Sequence, residues 1–261
     1  MTASLAIESG HAPRGSLAAF LNYWGRGLPA CAGFGLSLVY CLGLLIVRRH
    51  RRVLSRDVAR AMSRLCCTPL GIRVVVHNAE RLEAARPCVF VANHQSFLDY
   101  PILGRVLPAH TIIVGKAEMG RIPVVGALFR RAGHVLIRRG GGAATREALH
   151  DIARTIREHG VSVWMFPEGT RRTTTESALL PFRAGAFRLA VDANVAIVPV
   201  VVDELKPHTD ITRRRFRPRV VNVRVLEPVA VDDAAGDPVE RAMTRTFDVM
   251  RDSLAVGSSR G

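Results

Sequence analysis

VFVANHQSFLD, residues 89–99, begins as an apolar, β-rich run, turns polar at Asn93 and then enters a segment with helical patterning. Read as strand, loop and helix start, it puts His94 at the end of a buried strand and Asp99 five residues on, inside the following helix. The same order recurs on both sides. Short β-branched or apolar runs at 72–76, 88–92, 111–115, 135–138, 161–166, 195–202 and 220–226 predict strands. The stretches 97–106, 123–131, 144–159, 186–193 and 238–255 predict helices. This alternation makes an α/β fold, with a mostly parallel central sheet covered by helices and active groups in loops at strand ends.

Upstream of Pro69 the pattern is different. LPACAGFGLSLVYCLGLLIV, residues 28–47, is an uncharged run of 20 residues, long enough at ~1.5 Å per residue to cross a hydrocarbon core of ~30 Å. It starts late, lacks a basic leader and ends in Arg48, Arg49, Arg51 and Arg52 instead of a small-residue cleavage site, which argues against a secretory signal. Those arginines put the rest of the chain on the cytoplasmic face of the inner (plasma) membrane. Residues 17–24 are also largely apolar, so the two runs read either as one span or as a hairpin dipping into one leaflet. Beyond them Arg52, Arg56, Arg60 and Arg64 recur every four residues, with apolar side chains on the other faces. That describes a basic amphipathic helix on an anionic bilayer, or a solvated arginine face. The expected division is an N-terminal membrane segment with a basic amphipathic helix over 1–68 and an α/β domain over 69–261.

The 261 residues carry a formal charge of +15 and a pI near 11.2, which favours an anionic partner such as nucleic acid, anionic lipid or a phosphorylated substrate. Lys116 and Lys206 are the only lysines, so the excess is almost all arginine. Aromatic residues make up 6%, too few for the interleaved stacking of a single-strand nucleic-acid binder. Cys31, Cys41, Cys66, Cys67 and Cys88 fall at no disulfide or zinc-ligand spacing, and no metal is expected. Gly140 to Gly142 lacks the spacing of a nucleotide loop and reads as a flexible joint.

Two runs carry chemistry. Five residues in a regular helix rotate by about 140°, so His94 and Asp99 converge only if His94 sits in the loop and Asp99 reaches back from the first turn. In that arrangement the carboxylate holds one imidazole nitrogen and the other faces the cleft as a general base for a hydroxyl. Taken alone, the same spacing also suits a histidine that merely caps the helix. FPEGTRR, residues 166–172, follows a second strand. Gly169 lets backbone amides approach a ligand, Arg171 or Arg172 suits a phosphate, and Glu168 suits a basic group or a substrate hydroxyl. Alone, it also reads as a turn with a surface ion pair.

Together and in this order the runs resemble the glycerolipid acyltransferase family. NHQSFLD matches its first block, GRIPVVGALFRRAGHVLIRR (120–139) its second, FPEGTRR its third, and VAIVPV (195–200) is similar to its fourth. The resemblance covers roughly residues 70–225. It implies that His94 is the base and Asp99 its orienting partner. It further implies that Asn93, Arg139, Glu168, Gly169, Thr170 and Arg171 surround the acceptor's phosphate and glycerol, and that Pro199 shapes a substrate channel. Lys116, Glu118, Phe182, Arg183 and Gly185 stand where the family has similar residues. The second block departs from the family at its end, reading Ile137, Arg138, Arg139 where Ile-Asp-Arg is common.

The implied reaction is direct transfer of a fatty-acyl group from acyl-CoA or acyl-carrier protein to the sn-2 hydroxyl of 1-acylglycerol-3-phosphate, in phospholipid biosynthesis, without a cofactor. Ser96 reads as a capping or positioning group, not a nucleophile. Acylation of another lyso-lipid, such as a lyso-ornithine lipid, or of glycerol 3-phosphate is the near alternative. A basic membrane-tethered protein that binds nucleic acid or anionic lipid is the alternative of another class; on the acyltransferase reading the partners are membrane lipid and the acyl donor, with no nucleic acid.

Overall fold

The structure, a computed structural model, describes residues 17–47, 51–138, 140, 142–172, 178–205, 209–210, 215–231 and 236–258. Arg139 and the segment 173–177 lie outside the described residues.

Seven strands form one sheet: β1 (Ile72–His77), β2 (Val89–Ala92), β3 (Thr111–Lys116), β4 (Val135–Ile137), β5 (Ser162–Met165), β6 (Ile197–Val202) and β9 (Arg219–Val225). A separate ribbon pairs β7 (Thr209–Asp210) with β8 (Arg215–Phe216). The order is β1-β9-β6-β2-β5-β3-β4. The strands from β6 to β4 are mutually parallel, β9 is antiparallel to β6, and β1 is parallel to β9. Each lies within two residues of its expected position, and the sheet is mostly parallel as the alternation requires.

The central strands are buried on both faces. Phe90 and Ala92 of β2 join Trp164, Val198 and Val200 in one apolar layer, while Val89 and Val91 join Val163, Ile197 and Val201 in the other. The second layer is covered by α6 (Gly142–His159), α7 (Gly185–Ala193) and α8 (Pro238–Ser258). The first is covered by α4 (Asp99–Leu103), the basic helix α2 (Arg51–Cys67) and the apolar helix α1 (Leu17–Val47), with α5 (Pro123–Ala132) alongside. The short α3 (Arg81–Ala84) and a 3-10 turn (Ala117–Arg121) are too brief to leave a periodic signal.

Two N-terminal expectations are sharpened. The apolar runs at 17–24 and 28–47 form one continuous helix through Gly25, Gly27 and Pro29, not a hairpin broken between them. The hairpin that does form pairs α1 with α2. Gly33 faces Leu65 near one end and Cys41 clusters with Leu54 and Val58 near the other, so the two helices run antiparallel. Ser55, Val58 and Cys66 of α2 turn inward, while Arg60 and Arg64 stay exposed, which is the amphipathic division expected from the arginine spacing. By length and composition Phe20–Leu44 of α1 suits a membrane span, and most of it is unburied. Phe20, Leu21, Leu28, Leu36, Val39 and Ile46 are all exposed along it.

Candidate active site

The C-terminal ends of β5, β2 and β6 lie side by side, so the loops leaving them share one crevice, the usual place for ligands in an open α/β sheet. β2 delivers His94, β5 delivers Glu168, and β6 delivers Asp203 and Glu204.

Asp99 opens α4 and reaches back into the preceding loop. Its Oδ2 lies 2.7 Å from Nδ1 of His94 and accepts the backbone N–H groups of Gln95 at 2.7 Å and Ser96 at 2.9 Å. Facing a carboxylate, Nδ1 carries the proton, which leaves Nε2 with a lone pair for a hydroxyl. Asp99 is fully buried, and its Oδ1 has no hydrogen-bond partner among the described residues. The imidazole stacks on Phe166 with centroids 4.1 Å apart and meets the edge of Tyr100 at 6.0 Å. His94 is therefore held on one edge by charge and on one face by an apolar ring. Ser96 Oγ accepts the Leu98 N–H at 3.2 Å, a capping bond that stabilises the turn.

Several residues expected to bind substrate also hydrogen-bond within the scaffold. Both ends of the Asn93 carboxamide engage the backbone of Val202, donating to its carbonyl at 2.9 Å and accepting its N–H at 2.8 Å. Glu168 is buried, and both of its oxygens are occupied: Oε1 accepts the His94 N–H at 2.6 Å and Oε2 the Leu180 N–H at 2.9 Å. Burial raises its pKa while those two hydrogen bonds oppose the rise. Each oxygen of Glu168 and each end of the Asn93 carboxamide thus has one backbone partner in the scaffold. Gly169 adopts φ +68°, the left-handed conformation that favours glycine. Thr170 is exposed in the same turn.

The two arginines of the third block separate cleanly. Arg172 is buried and pairs with Glu204 at 2.8 Å, and its backbone N–H binds the His94 carbonyl at 2.9 Å. Arg171 is half-buried, with its guanidinium 3.6 Å above the Phe97 ring. Lys116 pairs with Glu118 at 3.2 Å in solvent. Pro199 shares a face of β6 with Ile197 and Val201, against the layer covered by α6 to α8. That face is opposite the apolar cavity. Phe182 packs on Phe187 and Phe247, and Gly185 begins α7.

No local pattern in the chain announces the cavity beside the dyad. It has a volume of about 580 Å³, lies between α1, α2, α5 and the first apolar layer, and is lined almost wholly by carbon. Phe97, Tyr100 and Phe166 line it next to His94, and Ser55 and His134 line it deeper. Ile113, whose N–H binds Nδ1 of His134 at 3.1 Å, pairs in register with Trp164, two residues before Phe166. Long-range pairing of this kind leaves no local pattern in a chain. Gln95 was also unforeseen: its side chain joins the Asp203 carbonyl at 2.9 Å to the Leu205 N–H at 3.0 Å, tying the β6 exit to the dyad turn. The inward-facing thiols give no rival nucleophile, because burial pushes Cys67 and Cys88 up to about 12.

The acyltransferase family model matches residues 73–203, which contain both dyad residues and the third block. Human 1-acyl-sn-glycerol-3-phosphate acyltransferase beta is 36% identical over 184 residues, covering 68% of this chain and 66% of that protein. The 1-acyl-sn-glycerol-3-phosphate acyltransferase of Saccharomyces cerevisiae is 30% identical over 227 residues, covering 87% of this chain and 74% of that protein. The crystal structure of the 1-acyl-sn-glycerophosphate acyltransferase from Thermotoga maritima superposes with a TM-score of 0.72 at 23% identity, covering 94% of this chain and 98% of that one, which speaks for the fold alone. A match that spans the same residues as the dyad and its clamps makes this chain a member of the glycerolipid acyltransferase family, and so an O-acyltransferase.

Proposed function

We propose that the chain transfers a fatty-acyl group from acyl-CoA or acyl-carrier protein to the sn-2 hydroxyl of 1-acylglycerol-3-phosphate, attached through α1 and α2 to the cytoplasmic face of the inner membrane. The observation that carries this reading is a His–Asp dyad beside an apolar cavity, with the Arg171 guanidinium, from the loop after β5, stacked on Phe97 of the dyad turn. The cavity offers an acyl chain a dry, carbon-lined site within the usual range for ligand pockets. Arg171 offers the acceptor phosphate a planar pair of donors.

Nε2 of His94 removes the hydroxyl proton as the acceptor oxygen attacks the thioester carbonyl. The C–S bond breaks as the tetrahedral intermediate collapses, and the imidazolium returns its proton to the thiolate. Products are the ester and one free thiol. Asp99 holds the tautomer and stabilises the transient imidazolium without taking a proton. Names of the relatives given above include this acceptor and support it here.

The test is transfer by purified protein to a panel of acceptors: lysophosphatidate, glycerol 3-phosphate, a lyso-ornithine lipid and an uncharged monoacylglycerol. Lysophosphatidate is expected to be preferred, and Arg171→Ala is expected to raise its KM by about 10- to 100-fold while leaving donor KM nearly unchanged. Preference for lyso-ornithine lipid would replace the acceptor and keep the chemistry.

A further inference from the structure

We infer that Phe97 is a positioning residue that holds Arg171 in place for the acceptor's anionic head and separates that head from the acyl cavity. The inference rests on the reading of Arg171 above and adds what fixes it. An arginine side chain has four rotatable bonds, so its guanidinium is poorly placed unless something restrains it. Here its central carbon sits 3.6 Å above the centre of the Phe97 ring. Stacking of this kind uses the flat face of the guanidinium and leaves its N–H edge pointing outward for two oxygens of one phosphate.

The other observations agree. Phe97 is 65% exposed, an unusual position for a phenylalanine that serves packing alone. It also lines the apolar cavity together with Tyr100 and Phe166, the two rings that contact His94. It stands in the turn that carries the base. That turn is rigid, since Asp99 Oδ2 binds the N–H groups of Gln95 and Ser96, the Asp99 N–H binds the Ser96 carbonyl at 3.3 Å, and Ser96 Oγ binds the Leu98 N–H. One rigid turn therefore sets the distance from the base to the cation. Arg172 is tied to Glu204 by its own ion pair.

The experiment is a double-mutant cycle of Phe97→Leu and Arg171→Ala, with Phe97→Tyr as the conservative variant, assayed in detergent with lysophosphatidate and with uncharged monoacylglycerol. Phe97→Leu is expected to raise acceptor KM for lysophosphatidate on the order of 3- to 10-fold relative to that for the uncharged acceptor, any effect through the cavity wall being common to both acceptors. In the Arg171→Ala background the same substitution is expected to have no further effect, and Phe97→Tyr is expected to restore the parent value. If Arg171→Ala raises acceptor KM but Phe97→Leu does not, or if the two effects simply multiply, the positioning role is overturned while the phosphate reading stands. If Arg171→Ala leaves acceptor KM unchanged, both fall. Loss of binding to anionic vesicles by Phe97→Leu, with acceptor KM in detergent unaltered, would assign the ring to membrane contact and overturn the inference.

Discussion

At the scale of single residues, the dyad and its clamps make different demands on substitution. His94→Ala removes the group that takes the proton in the transition state, and Asp99→Asn removes only the charge that orients and stabilises it. Both variants are expected to fold, with turnover lowered on the order of 10²- to 10⁴-fold and His94→Ala the worse of the two, measured in steady-state assays with circular dichroism as the fold control. Glu168→Gln should behave otherwise. A carboxamide must turn its NH₂ group toward one of the two N–H donors that Glu168 now satisfies, so stability is expected to fall by roughly 1–3 kcal/mol, read as a lower unfolding midpoint, with acceptor KM unchanged. A rise in acceptor KM without loss of stability would return Glu168 to substrate binding. The dyad was legible in the chain because its members lie five residues apart and a short helix start closes them. The duties of Asn93 and Glu168 were not, since Asn93 binds Val202, 109 positions away, and the type of a polar residue does not say whether its partner is substrate or backbone.

At the scale of elements, the strands and long helices could be read from periodicity, while the mutual packing of α1 and α2 could not. The apolar run of α1 announced a membrane helix, but its small residues gave no direction for a partner. In the fold, a Cβ on Gly33 would lie 2.0 Å from the Leu65 carbonyl oxygen and one on Gly104 would lie 2.2 Å from that of Ala59, so α2 is gripped closely on two sides. Gly33→Leu is accordingly expected to force the hairpin apart, costing on the order of 1–3 kcal/mol or more in thermal unfolding in detergent, and to lower turnover by disturbing the wall of the cavity. Unchanged stability would show that the helices do not pack as closely as described. The orientation of β9 was equally illegible, because apolar alternation fixes which face a strand buries and not which way it runs.

At the scale of the whole molecule, the N-terminal hairpin and the α/β domain complete one another, since Tyr23, Phe34 and Cys41 of α1 and Val58 of α2 form walls of the cavity that opens beside His94. Deleting residues 1–47 is expected to release much of the protein from membranes, leaving a salt-sensitive remainder held by the arginines of α2, and to abolish most turnover even in detergent. Fractionation of the full chain as soluble without detergent would contradict membrane attachment. The same interface carries a pH dependence. His134 joins β3 to α2, accepting the Ile113 N–H on Nδ1 and bonding Ser55 Oγ at 2.6 Å, and its remaining surface opens onto the apolar cavity. Burial there holds its pKa down at about 4 against the ordinary 6.5. Above pH 6.5 both folded and unfolded chains are neutral at this site; as pH falls from there toward 4 the unfolded chain takes a proton that the folded one refuses, so stability drops by up to about 3 kcal/mol. Thermal unfolding between pH 7.5 and 4 is expected to show a smaller acid loss for His134→Gln than for the parent, and equal losses would exclude His134 as the source. The most direct measurement is the stoichiometry of transfer: purified full-length protein, a labelled acyl thioester and lysophosphatidate, with phosphatidate and free thiol counted together. One thiol released per ester formed is expected, with the rate of both falling on the order of 10²-fold or more in folded His94→Ala; near-parent turnover by that variant, or no ester from the parent protein with any thioester donor, would contradict acyl transfer at the His94–Asp99 dyad.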